Sequence, residues 1–213
     1  MNERLKLHLR DLSPSLVAAW RTEFAGEEDV SVSCGDIFSE RSGMVQPEDP
    51  IDLRADAVVS PANSFGFMDG GIDAVFTYTL GPQVQQRLQA LLRASHGGEL
   101  PVGQAVIVPT DRSEIPWCIS APTMRVPANI SDTVNAYLAF RAALRAIAEH
   151  NAQRPEQAIK TVLCPGLGTA VGRMPPERCA RQMHAAWQRV VSGGPFVPSS
   201  LGLATKDEVE LRK

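Results

Sequence analysis

The sequence predicts one α/β domain, an α/β/α sandwich in which helices cover both faces of a central sheet. Short apolar runs of strand character alternate along the chain with longer runs of helical periodicity, and each helix needs one face buried. Several strand-like runs are followed directly by glycine-bearing loops. At 213 residues the chain is also long enough for one substantial core.

The run Leu5-Lys6-Leu7-His8-Leu9 alternates with period two and reads as a half-buried strand. Ser13-Pro14 has the form of an N-cap followed by Pro in the first helical position, and Leu16, Val17, Trp20 and Phe24 follow at helical spacing. Val30–Cys34 is a second strand that runs into Gly35-Asp36-Ile37, and Ser39 to Pro50 is a polar loop. Ala55–Ser60 is a third strand, stopped by Pro61. A glycine-bearing loop, Asn63 to Gly71, then leads to a helix with Ile72, Val75, Phe76, Thr79 and Leu80 on one face.

Gly81-Pro82 breaks the chain before a second amphipathic helix through Val84, Leu88, Leu91 and Leu92, which ends at Gly97-Gly98. Gln104–Val108 and Trp117–Ser120 read as strands. Ser131 or Asp132 is expected to cap a long helix striped by Val134, Tyr137, Phe140, Leu144, Ile147 and Ala148. Ile159–Cys164 is the last strand, Pro165 to Pro176 a second Gly/Pro-rich loop, and Glu177–Val191 the closing helix. Residues 1–213 are thus expected to form a single domain. Its core spans about 29–191, preceded by a strand–helix extension over 1–28 and followed by a flexible tail over 192–213.

A formal net charge of −3 supplies no basic field, so extended nucleic-acid binding is not expected. No apolar run is long enough to cross a bilayer, and the opening residues lack the apolar stretch of a secretory signal. A cytoplasmic location with no membrane partner is the expectation. Cys34, Cys118, Cys164 and Cys179 form no Cys-x-x-Cys pair and have no nearby His, so they read as small side chains in a reducing compartment, and no metal or cofactor is expected. His8, His96, His150 and His184 share no motif, and Trp20, Trp117 and Trp187 read as packing residues.

Ligands of open α/β sheets gather at the carboxyl ends of strands. Three loops placed there have chemistry to offer. Gly35-Asp36-Ile37 sets a carboxylate on a tight turn, suited to an exocyclic amine or to a helix N-terminus. In the loop Asn63 to Asp73, Gly70 and Gly71 stand immediately before a helix, where backbone N–H groups and the helix dipole attract an anion. The run Gly166 to Gly172 lacks the Gly-Lys-Ser/Thr ending of a P-loop but allows backbone to wrap a phosphate. Two separate glycine loops suggest a diphosphate gripped from both sides.

At these loops the sequence resembles the macro domain family, in collinear order. Gly35-Asp36-Ile37 is similar to the family's Gly-Asp-Ile, whose Asp binds the adenine amine. Asp56 to Ser64 is similar to its strand ending in Asn-Ala-Ala-Asn-Ser, and Gly70-Gly71-Ile72-Asp73 to the glycines, hydrophobic residue and Asp that follow. Gly103 to Val106 resembles the segment that opens a central strand, and Pro165 to Glu177 the phosphate loop. The likeness covers roughly residues 29 to 191. It departs where Ser60-Pro61 replaces Asn-Ala, where Met68-Asp69 replaces glycines, at Ala170, and at Gly172-Arg173. No strand-like run follows Val191, where many members place a last strand with an aromatic that stacks on adenine.

The resemblance implies a macro domain fold, a three-layer α/β/α sandwich with a mixed central sheet, and ADP-ribose or an ADP-ribosylated substrate as partner. It assigns adenine to Asp36, counts Ile37 among the ADP-ribose-binding residues, and gives the diphosphate to Gly70, Gly71 and Ile72 on one side and Gly168, Thr169, Ala170, Val171 and Gly172 on the other. Asn63 would orient the distal ribose and Asp73 position the attacking water, as in the MacroD-type hydrolases. Three readings follow: an ADP-ribosyl hydrolase, which leads, a non-catalytic ADP-ribose reader, and an assembly domain that keeps only the fold. The last requires a filled pocket, with Met68 and Arg173 the candidates to fill it.

Overall fold

The computed structural model describes residues 4–38, 54–61 and 63–213. Six strands form one sheet: β1 (Lys6–Asp11), β2 (Val30–Cys34), β3 (Ala57–Ser60), β4 (Val106–Pro109), β5 (Trp117–Ser120) and β6 (Thr161–Cys164). Among the described residues six α-helices accompany them: α1 (Pro14–Glu23), α2 (Ile72–Leu80), α3 (Gln83–Ser95), α4 (Asn135–Gln153), α5 (Pro176–Trp187) and α6 (Leu201–Leu211). The strand order is β2-β1-β6-β3-β5-β4. All neighbours are parallel except β4, which pairs antiparallel with β5 at the edge, so the sheet is mixed. The loop expected over Ser39 to Pro50 lies outside the described residues.

Strand alternation sorts side chains between two cores. Leu7, Leu9, Ala57, Val59, Ile119 and Val162 pack against α1, α4 and α5. Val58, Val106, Cys118 and Leu163 pack against α2 and α3, through Phe76, Leu80, Val84, Leu88 and Leu92. The expected coverage of both faces is found. No described helix is long and apolar enough to cross a membrane.

Ser13 caps α1 as read from the sequence, its Oγ accepting from Leu16 N, with Pro14 in the first turn. Residues 4–28 are not an extension, however. β1 lies inside the sheet between β2 and β6, with Leu7 and Leu9 fully buried. Its own alternation was legible, but a strand's neighbours are set by tertiary pairing.

The long helix starts at Asn135 rather than after Ser131 or Asp132. Its first turn is served from another helix, since Gln182 Oε1 on α5 accepts from Tyr137 N at 3.1 Å. The flexible tail expected over 192–213 instead contains α6, which Ser200 caps through Leu203 N. Gln182 Nε2 donates to Leu211 O at 3.0 Å, and Arg189 pairs with Asp207, fixing this helix to α5 and the turn behind it. Its larger apolar residues, Leu201, Leu203, Val209 and Leu211, do not recur at spacings of three or four, which hid it from a periodicity argument.

Candidate functional site

Pro61 terminates β3, and Asn63 continues its pairing toward β5 through a single parallel bridge to Met124. The chain then turns through Phe67 to Gly71 into α2. Gly71 occupies the N-cap at φ 58, a left-handed conformation that glycine tolerates best, and it provides no side-chain cap. First-turn N–H groups of α2 are therefore left without a side-chain acceptor.

The second glycine loop follows β6 and is folded tightly on itself. Gly168 O accepts from Met174 N at 3.0 Å, and Gly172 O from Ile130 N at 2.9 Å. A Cβ on Gly168 would lie 2.5 Å from Ile130 Cδ1, and one on Gly172 2.5 Å from Gly168 O. Packing alone requires glycine at these two positions.

The two loops face each other across a cleft of about 220 Å³. Phe67, Asp69, Gly70, Gly71, Ile72 and Asp73 form one wall and Gly166, Gly168, Thr169, Ala170, Val171 and Gly172 the other. Pro61, Asn63, Thr123, Met124 and Pro127 complete the lining. Met68 is fully buried in the α2–α3 core, and the exposed Arg173 does not line the cleft, so neither fills it.

Asp73 sits in the first turn of α2 beside the end of β3. Ser60 Oγ donates to its Oδ1 at 2.8 Å. Burial pushes the Asp73 carboxyl up to about 6. The Ser60 hydrogen bond opposes that rise, and the negative charge of Asp69 adds to it. A carboxyl group of this kind exchanges a proton near neutral pH.

Asn63 is in the cleft, but its amide is engaged with its own loop. Nδ2 donates to Phe67 O at 2.8 Å, and Oδ1 accepts from Phe65 N and Phe67 N. This arrangement holds the loop's shape. Asp36 and Ile37 are not brought into the cleft. Asp36 Oδ1 accepts from Phe38 N at 2.8 Å, Arg10 Nε donates to Asp36 O at 2.6 Å, and the Ile37 side chain is buried in the α2–α3 core.

Sequence reading missed Thr123, Met124 and Pro127, which come from the loop after β5. That loop also leaves the carboxyl end of a strand parallel to β3, and its position was the available signal; it has no glycines to draw attention.

A family model described as Macro domain matches residues 59–183, a span that contains both glycine loops. The chain belongs to the macro domain family. This macro domain is 35% identical over 132 residues to a protein of Aquifex aeolicus, across 62% of this chain and 72% of that one. Its fold resembles the macrodomain of Mycobacterium tuberculosis DarG, with a TM-score of 0.53 and 22% identity over 75% of this chain and 95% of that one. DarTG of Thermosipho africanus, solved in complex with ADP-ribose, matches at TM-score 0.51 and 18% identity over 70% of this chain and 39% of that one. The family model stops short of β1, α1 and β2, although these supply one side of the macro domain's sheet.

Proposed function

We propose that this macro domain binds ADP-ribose in the cleft and hydrolyses ADP-ribosyl linkages, on protein, on nucleic-acid ends or in O-acetyl-ADP-ribose. The observation that carries the reading is Asp73: a proton-exchanging carboxyl group in a cleft walled by two glycine loops. The backbone of Gly70, Gly71 and Ile72 meets one side of the diphosphate, and Gly168 to Gly172 the other. Asp73 accepts a proton from a water whose oxygen bonds the distal ribose carbon as the acceptor leaves, and returns that proton to the departing acceptor; with O-acetyl-ADP-ribose the water oxygen bonds the acetyl carbonyl carbon and the ribose hydroxyl leaves with the proton. Cavities that hold a whole drug-sized ligand run to about 300–1,000 Å³. The cleft therefore suits the diphosphate and distal ribose, while the adenosine end extends outward toward Asp36.

One observation favours the non-catalytic reader. Asn63, which a hydrolase would use to orient the ribose, spends its amide on the loop. The test is calorimetry against ADP-ribose, AMP and NAD, followed by release of ADP-ribose from a modified acidic peptide, a modified DNA end and O-acetyl-ADP-ribose. Preference for ADP-ribose with turnover lowered about 10²–10⁴-fold in Asp73→Ala is the expected result. Binding without cleavage of any of the three establishes the reader, and equal affinity for AMP removes the diphosphate site.

A further inference from the structure

Ser60 and Ser120 are register partners on the adjacent parallel strands β3 and β5. Such partners stand about 5 Å apart and direct their side chains to the same face. Here that face is the α2 side, because Val58 and its partner Cys118, two residues earlier on each strand, both pack in the α2–α3 core. Ser60 uses its hydroxyl on Asp73. Ser120 is 1% exposed, and its hydroxyl has no hydrogen-bond partner among the described residues. Its other register partner, Val106 on β4, offers no polar side chain. Buried hydroxyls are seldom left unpaired, and internal waters with two to four polar partners commonly satisfy them.

We propose that Ser120 is a positioning residue for Asp73: its hydroxyl, beside that of Ser60, holds an internal water against the carboxylate from behind the cleft. The carboxylate is then fixed by one direct serine and by one serine acting through water. The charged and titratable groups acting on Asp73 are Asp69, from its own loop, and Cys118 on β5, whose thiol burial pushes up to about 12. Asp69 has no proton to donate at neutral pH, and the protonated Cys118 thiol is a weak donor that touches Asp73 through no hydrogen bond among the described residues, so that role falls to the two serines. The effect on turnover rests on the reading of Asp73 as general base, whereas the effect on its ionisation does not.

The experiment is a carbon-13-detected titration of the Asp73 carboxyl in the full chain. A water-mediated hydrogen bond favours the charged form, so Ser120→Ala is expected to raise the midpoint by about one pH unit, and Ser60→Ala by as much or more. Ser120→Thr, which keeps the hydroxyl, is expected to restore it. An unchanged midpoint in Ser120→Ala, with the rest of the spectrum intact, overturns the proposal. If the midpoint moves but the wild type cleaves no ADP-ribosyl substrate, the serine pair stands and the hydrolase reading falls.

Discussion

The Asp11 carboxylate, at the end of β1, accepts a 3.0 Å hydrogen bond from the backbone N–H of Gly166, 155 residues further along the chain. Its other oxygen accepts from Ser13 N at 2.9 Å, so one side chain fastens the start of α1 to the second glycine loop. The fit is close, since a Cβ on Gly166 would lie 2.9 Å from Asp11 Oδ2 and 2.5 Å from Leu16 Cδ2. Asp11→Ala leaves both N–H groups unpaired and is expected to cost about 1–3 kcal/mol in denaturant unfolding. It is also expected to weaken ADP-ribose binding by loosening the loop. Full affinity in a destabilised variant would mean that the loop keeps its shape without Asp11.

The glycines of the cleft separate into two groups under substitution. Gly70 has open space around its Cβ position and no left-handed backbone, so Gly70→Val is expected to keep the fold and obstruct the ligand. Gly168 has φ 75 and Ile130 against it, so Gly168→Val is expected to lower the melting temperature as well. Circular dichroism and calorimetry on the pair distinguish these outcomes. Normal ADP-ribose affinity in Gly70→Val would place the diphosphate elsewhere.

Asp36 is expected to contribute to affinity from outside the cleft. Replacing it with Ala should weaken ADP-ribose by about 1–3 kcal/mol, the scale for a lost hydrogen bond to a charged group. ADP, which keeps the adenine, should lose as much. Ribose 5-phosphate, which lacks it, should bind both proteins alike. An equal loss for ribose 5-phosphate would show that the substitution acts through the fold.

Asp73 is expected to give stability and the proposed turnover opposite dependences on pH. Burial holds its carboxyl at about 6 in the folded chain, above the ordinary aspartate range. The folded state therefore binds more protons across that window, so stability falls as pH rises through it and remains lower above. Asp73→Asn is expected to stabilise the protein at pH 7.5 by about 1–2 kcal/mol, allowing for solvent screening of a half-buried group. Turnover that uses the carboxylate as base is expected to rise through the same range in the wild type. A pH-independent melting temperature between 4 and 7 would mean that the Asp73 carboxyl titrates normally.

Sequence patterning was sufficient for the elements whose signals are local. Val30–Cys34, Trp117–Ser120 and Ile72–Leu80 form over the runs that predicted them, because alternation, helical spacing and the Gly81-Pro82 break all act within a few residues. The two glycine loops were also legible, and they do meet. What could not be read was cross-chain. Gln182 serving the first turn of α4, Ser60 meeting Asp73 and Ile130 closing on Gly168 each depend on residues 13 to 45 positions apart or on a packed neighbour. The departure at Ser60 reads in the sequence as a lost motif position, whereas in the structure its hydroxyl is the direct partner of the cleft's carboxylate.

The interior position of β1 also sets a timetable for synthesis. Lys6 pairs with Thr161, so the strand made first must wait for one of the last. At about 5–20 residues per second, the 155 residues from position 7 to position 161 take roughly 8–30 s to be made. Through that interval Leu7 and Leu9 lack the β6 side of their core, and one edge of β1 has no strand beside it. The sheet closes only when β6 takes its place between β1 and β3, linking β2-β1 to β3-β5-β4 across a long loop-closure distance. Nascent chains stalled before Thr161 should accordingly be the ones that chaperones hold and proteases cut, and release past Cys164 should end both at once.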